Sequence, residues 1–102
     1  MEANKTDWTQ IDKSIRYTLF QVESFLEAEV INSVKHFLDH AEFEMAFEGL
    51  FIEIMKLDAI PKIDRVQSKK VAEQLRLNEE TIFDFEFWNK FERYISVNNN
   101  QK

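Results

Sequence analysis

The chain has 102 residues, of which 44% are hydrophobic, 31% charged and 14% aromatic, and its formal net charge is −6. That length fits one domain with a modest core, and the hydrophobic share excludes general disorder. With no Cys, disulfide scaffolds, thiolate metal sites and Cys nucleophiles are excluded; one Gly and one Pro leave no Gly-rich phosphate loop and few tight hairpin turns.

The expected architecture is all-α, a single bundle of about five helices over residues 1–102, with 1–6 and 98–102 frayed. The first helix runs from about Asp7 to Gln21, where Trp8, Ile11, Ile15, Leu19 and Val22 recur at three- and four-residue spacing. Ser24-Phe-Leu-Glu27 has the form of a capping box opening a second helix, with Leu26, Val30, Val34, Phe37 and Leu38 inward. Asp39-His-Ala-Glu42 has the same form. It opens the best-patterned segment, in which Phe43, Ala46, Phe47, Leu50, Phe51, Ile54 and Leu57 share an arc of roughly 140°. Met45, Ile52 and Met55 lie off that face among Glu44 and Glu48. Either neighbours pack on both sides of this helix, or an acidic surface carries apolar studs.

Ala59-Ile-Pro61 ends the segment, since Pro cannot continue a helix. Asp64 caps a fourth helix, with Val66, Val71 and Leu75 as its stripe, and Asn78 starts another turn. Toward the end, Phe83, Phe85 and Phe87 alternate with Asp84 and Glu86 as in a strand. Phe87, Trp88, Phe91, Tyr94 and Ile95 follow helical spacing and outnumber them, and no second strand is on offer, so a helix is expected throughout.

The charges are unevenly placed. Residues 39–58 carry a local −5 and residues 59–76 a local +3, the latter from Lys62, Arg65, Lys69, Lys70 and Arg76 against Asp64 and Glu73. The overall acidity repels phosphate backbones, which disfavours nucleic acid as a partner. The N-terminal residues lack the pattern of a secretory signal and no apolar run approaches the length of a bilayer span, so no membrane and a cytoplasmic location are expected.

No catalytic constellation emerges. His36 and His40 are spaced i,i+4 but no further ligand completes a metal site, and Asp39 is expected to break the helix between them. Glu44 and Glu48 share a polar helix face where no pocket is implied. No Glu-x-x-His spacing and no nucleophile elbow is present, so neither an enzyme nor a cofactor is expected.

Residues 40–61, His40-Ala-Glu-Phe-Glu-Met-Ala-Phe-Glu-Gly-Leu-Phe-Ile-Glu-Ile-Met-Lys-Leu-Asp-Ala-Ile-Pro61, resemble the hallmark segment of the MafI-type immunity proteins of bacterial polymorphic toxin systems, among them contact-dependent growth inhibition. The matching positions are Glu42, Phe43, Glu44, Ala46, Leu50 and Pro61, and the likeness extends through Leu75-Arg76-Leu77 and Asn78-Glu79-Glu80-Thr81. It covers about residues 24–95. The chain departs from the pattern at Lys62 and in its extended Phe-rich end. The resemblance implies direct neutralisation of a cognate toxin domain, many such toxins being nucleases. An acidic inhibitor complements the basic cleft of a nuclease. The residues expected to contact it are Glu42, Glu44, Glu48, Glu53, Met55, Asp84 and Glu86, with Phe51, Met55 or a member of the 83–91 run as apolar anchor. Two alternatives stand beside this: a nucleic-acid-binding regulator using the basic segment 62–76, and an adaptor that self-associates through its Phe-rich end.

Overall fold

The computed structural model describes residues 6–59 and 61–99, with side chains given through residue 96. Within these residues the chain is all-α. It forms α1 (Trp8–Val22), a 3-10 turn at Glu23–Phe25, α2 (Ala28–Asp39), α3 (Phe43–Ile54), α4 (Arg65–Gln74) and α5 (Phe87–Asn99). Helix α5 continues two residues into the stretch expected to fray, while residues 1–5 and 100–102 lie outside the described ones.

Helix α3 is the spine. Its buried face carries Phe43, Ala46, Phe47, Leu50, Phe51 and Ile54, while Leu57, expected on the same face, falls beyond the helix and is only half-buried. Helix α1 buries Ile11, Ile15, Leu19 and Val22 against this core. Trp8 leaves that stripe at the first turn, half exposed, and stacks on Phe43 at 5.7 Å and 18°. Helix α5 is joined to α3 by aromatic rings. Phe91 meets Phe47 and Phe51 nearly edge-on, at 5.5 and 5.1 Å, and lies parallel to Phe87 at 5.5 Å. Such pairs add about 0.5–1.5 kcal/mol each beyond the area they bury. Helix α4 packs through Ser68, Val71, Ala72 and Leu75; Val66, expected inward, is 66% exposed because it points away from that face.

Of the three capping signals, one is realised. Asp64 accepts the Gln67 N–H at 2.9 Å, as expected. Ser24 and Glu27 form no box: a 3-10 turn occupies that junction, and Glu27, the residue before α2, makes no side-chain cap bond. Asp39 is the last residue of α2 rather than a breaker, and its carboxylate pairs with Arg16 on α1 at 3.1 Å. Consequently His36 and His40 stay on one helical rise, with rings 4.3 Å apart and His40 Nδ1 against the His36 carbonyl. Among the described residues no three His, Asp or Glu gather as a metal site needs, and no helix is long and apolar enough to cross a membrane.

Two helices end in the same manner. After α2, the Ala41 N–H donates to Leu38 O and the Glu42 N–H to Phe37 O; after α4, Arg76 donates to Glu73 O and Leu77 to Ala72 O. This pairing turns the chain sharply and requires a left-handed residue between the two bonds, usually Gly. Here Ala41 (φ 57°) and Arg76 (φ 61°) take that conformation, which costs an L-residue roughly 1–2 kcal/mol. The only glycine, Gly49, sits inside α3, where a Cβ would meet nothing nearer than Phe83 Cε2 at 3.8 Å.

Replacing Ala41 by Gly is therefore expected to raise stability by about 0.5–1 kcal/mol, the relief of left-handed strain exceeding the entropy Gly adds to the unfolded chain. Truncating Phe91 to Ala should lower it by about 3–5 kcal/mol, because four aromatic neighbours lose their partner. Urea unfolding followed by circular dichroism measures both.

Candidate functional site: an aromatic loop seated on a buried carboxylate

Between Leu77 and α5 the chain crosses the back of α3, the side turned away from the core. The crossing is fixed by Glu48, which is fully buried. Its Oε1 accepts the Ile82 N–H at 2.7 Å, and its Oε2 accepts those of Phe83 and Asp84 at 2.9 and 2.8 Å. A carboxylate withdrawn from water is costly unless hydrogen bonds replace its hydration. Three consecutive amides do so here and form a small anion-binding nest. Glu48 is thus not part of an exposed acidic surface. The i,i+4 relation to Glu44 holds, but the returning loop covers one member of the pair and leaves the other out.

The rest of the loop is tied as closely. Thr81 Oγ1 donates to Asp84 O at 2.8 Å, and Asp84 O also accepts the Phe87 N–H that begins α5. Asp84 Oδ1 accepts the Glu86 N–H at 2.9 Å, and its Oδ2 pairs with Lys90 Nζ at 2.9 Å. The Lys90 hydrogen bond, followed by that of Glu86, holds the Asp84 carboxyl below its ordinary pKa, and Lys90 is raised in return. Lys90 is exposed and Asp84 partly so, so their contribution is local order rather than bulk stability.

On this frame the loop presents apolar side chains outward. Ile82 and Phe83 are half exposed and Phe85 is 91% exposed. Phe83 and Phe85, expected in a helix, instead alternate outward along the loop, and the helix starts only at Phe87, whose ring is buried in the aromatic core. Ile82 stands over a hollow of about 390 Å³ bounded by Glu44, Leu75, Arg76, Glu79 and Glu80. Phe83 stands over a second, of about 350 Å³, between α2 and α3, walled by Val30, Val34, Phe37 and Ile52 and rimmed by Glu29 and Glu53.

The acids picked out from the sequence are therefore dispersed. Glu42 is half-buried at the start of α3, with no side-chain cap bond. Glu44 lines the Ile82 hollow and Glu53 the Phe83 hollow, where it also pairs with Lys56 at 3.3 Å. Asp84 and Glu86 flank Phe85. Met55 packs partly against the core and Phe51 is fully buried, so Phe51 is no anchor. The back of α3 is packed by α2 and by the loop rather than bare. Sequence patterning does not single out Ile82, Phe83 and Phe85 as the exposed group. The available signal is Phe85, two residues from Phe87 and so about 200° away on a helical wheel; Phe83, four residues before Phe87, falls on the stripe of Phe87, Phe91 and Ile95.

In the basic segment, Arg76 is engaged with Glu79 at 3.0 Å, and Arg65 and Lys69 are half-buried, which leaves Lys62 and Lys70 as its other exposed cations.

Glu48→Gln is expected to destabilise the protein by about 2–4 kcal/mol, because an amide brings a donor against three donors and strands the loop N–H groups. Amide hydrogen exchange at Ile82, Phe83 and Asp84 should accelerate in that variant far more than exchange in α1, which distinguishes loop release from general softening.

No model of a known protein family, no curated protein and no solved structure matches this chain.

Proposed function

We propose that this chain is a protein-binding inhibitor, an immunity protein that neutralises a cognate toxin domain with a basic surface, such as a nuclease, by direct contact. The observation that carries the reading is Phe85, 91% exposed on a loop whose neighbouring amides are all engaged by Glu48 and Asp84. A large aromatic side chain held in water contributes nothing to folding. On a preordered loop it loses little further entropy when a partner covers it.

The surroundings support a basic partner. Asp84 and Glu86 flank Phe85, with Glu44, Glu79 and Glu80 on one side and Glu29 and Glu53 on the other. Apolar anchors set among acids supply desolvation energy at the centre and attraction at the rim, which speeds encounter with a cationic surface. The resemblance of residues 40–61 to the MafI-type segment favours a toxin as that partner. No nucleophile, acid–base pair or metal ligand set is needed, because occlusion alone inhibits.

The experiment is co-expression of the tagged chain with the domain encoded immediately upstream of its gene, followed by calorimetric titration of the separated partners. The expected outcome is a stoichiometric complex and survival of host cells only when both are present. Phe85→Ala should weaken the complex by about 2 kcal/mol, roughly 30-fold, with an unchanged unfolding midpoint. Absence of complex and protection would overturn the reading.

A further inference from the structure

The hollow beneath Phe83 differs in kind from the projecting Phe85, because it is built to receive a side chain rather than to insert one. Val30, Val34, Phe37 and Ile52 make it apolar, and Phe83 closes one side, its ring 6.2 Å from that of Phe37. The Phe83 ring lies against α3 beside Gly49, where a Cβ would stand at ordinary contact distance, 3.8 Å from Phe83 Cε2. The charged residues lining this hollow are Glu29, from the first turn of α2, and Glu53, from the last turn of α3, both negative. Lys56, which pairs with Glu53, is largely in solvent, so the contact is readily exchanged.

An apolar trough with an aromatic wall and a carboxylate from each bounding helix fits a long aliphatic stem ending in a cation. We propose that the α2–α3 hollow receives an arginine side chain of the partner protein, its methylenes along Val30 and Ile52, its guanidinium beside Phe83 and between Glu29 and Glu53. Arginine suits this geometry better than lysine, since a planar guanidinium stacks on a ring and pairs with carboxylates in its own plane. This assignment rests on the reading of the chain as a partner-binding protein and specifies what that partner brings to one side of the loop.

The hollow can be tested without any partner. The isotope-labelled full chain is titrated with N-acetyl-arginine amide and, separately, with N-acetyl-citrulline amide, its neutral isostere, while backbone amide shifts are followed by NMR. Saturable millimolar binding by arginine is expected, with shifts concentrated at Val30, Val34, Gly49, Ile52 and Phe83 and little response to citrulline. The double variant Glu29→Gln/Glu53→Gln, both positions being at the surface, should weaken arginine binding roughly fivefold while keeping its helical circular dichroism. Equal response to citrulline, shifts elsewhere, no binding, or an unaffected double variant would each overturn the assignment. Failure of the co-expression experiment with a positive titration would remove the immunity reading and leave the arginine site. A protective complex with the upstream-encoded domain alongside a negative titration would do the reverse.

Discussion

The Glu48 carboxylate determines how the second half of the chain lies on the first. Without it, the back of α3 would offer the returning loop no hydrogen-bond acceptor, and Ile82, Phe83 and Asp84 would have three amides in need of water. With it, both sets of groups satisfy each other inside the protein, at 2.7–2.9 Å, and the loop is drawn across α3 at one defined place. The two hollows result from that placement. Ile82 and Phe83, on successive residues, extend to opposite sides of the helix, so each closes a space that α2 or α4 leaves open. Burial of a charge gives little net stability by comparison with an apolar substitute. It supplies position instead: three directional bonds that an apolar contact could not specify.

The shortage of glycine shapes the rest. Sharp helix exits need a left-handed residue, and with Gly49 placed inside α3 the chain uses Ala41 and Arg76 instead. Both exits are strained, yet each is over-determined by two backbone hydrogen bonds and by the burial of the residues just downstream. Leu77, directly after Arg76, is fully buried, and Phe43 begins the core face one residue after the Ala41 exit ends. Arg76 also turns its guanidinium onto Glu79, which draws one of the five basic residues out of the basic segment.

Aromatic residues divide into two populations with different roles. Phe47, Phe51, Phe87 and Phe91 form a ring cluster that locks α5 to α3, as the burial of roughly 150–250 Å² per ring favours. Phe83 and Phe85, only a few residues upstream, are excluded from it because the Glu48 contact stops the helix from starting before Phe87. A single polar interaction thus separates rings that hold the fold together from rings that face outward among carboxylates.

Much of the fold is legible in the sequence because it depends on short-range periodicity. The stripes of α1 and α3, the Asp64 cap and the helical spacing of Phe87, Phe91 and Ile95 all state locally which face is buried. Helix boundaries near Ser24 and Asp39 depart from the local pattern for a physical reason: the capping-box residues are present, but a 3-10 turn and a glycine-free left-handed exit serve those junctions instead. The candidate site is hardly legible at all. Glu44 and Glu48 look alike along the chain, on one face and one turn apart, and only the loop returning from 34 residues away makes one of them a buried anchor and leaves the other at a rim. The sequence by itself determined which elements form and which sides of them avoid water. The tertiary structure alone decided which carboxylate was buried and which phenylalanines were left exposed, because those outcomes depend on hydrogen bonds between distant segments that no local pattern encodes.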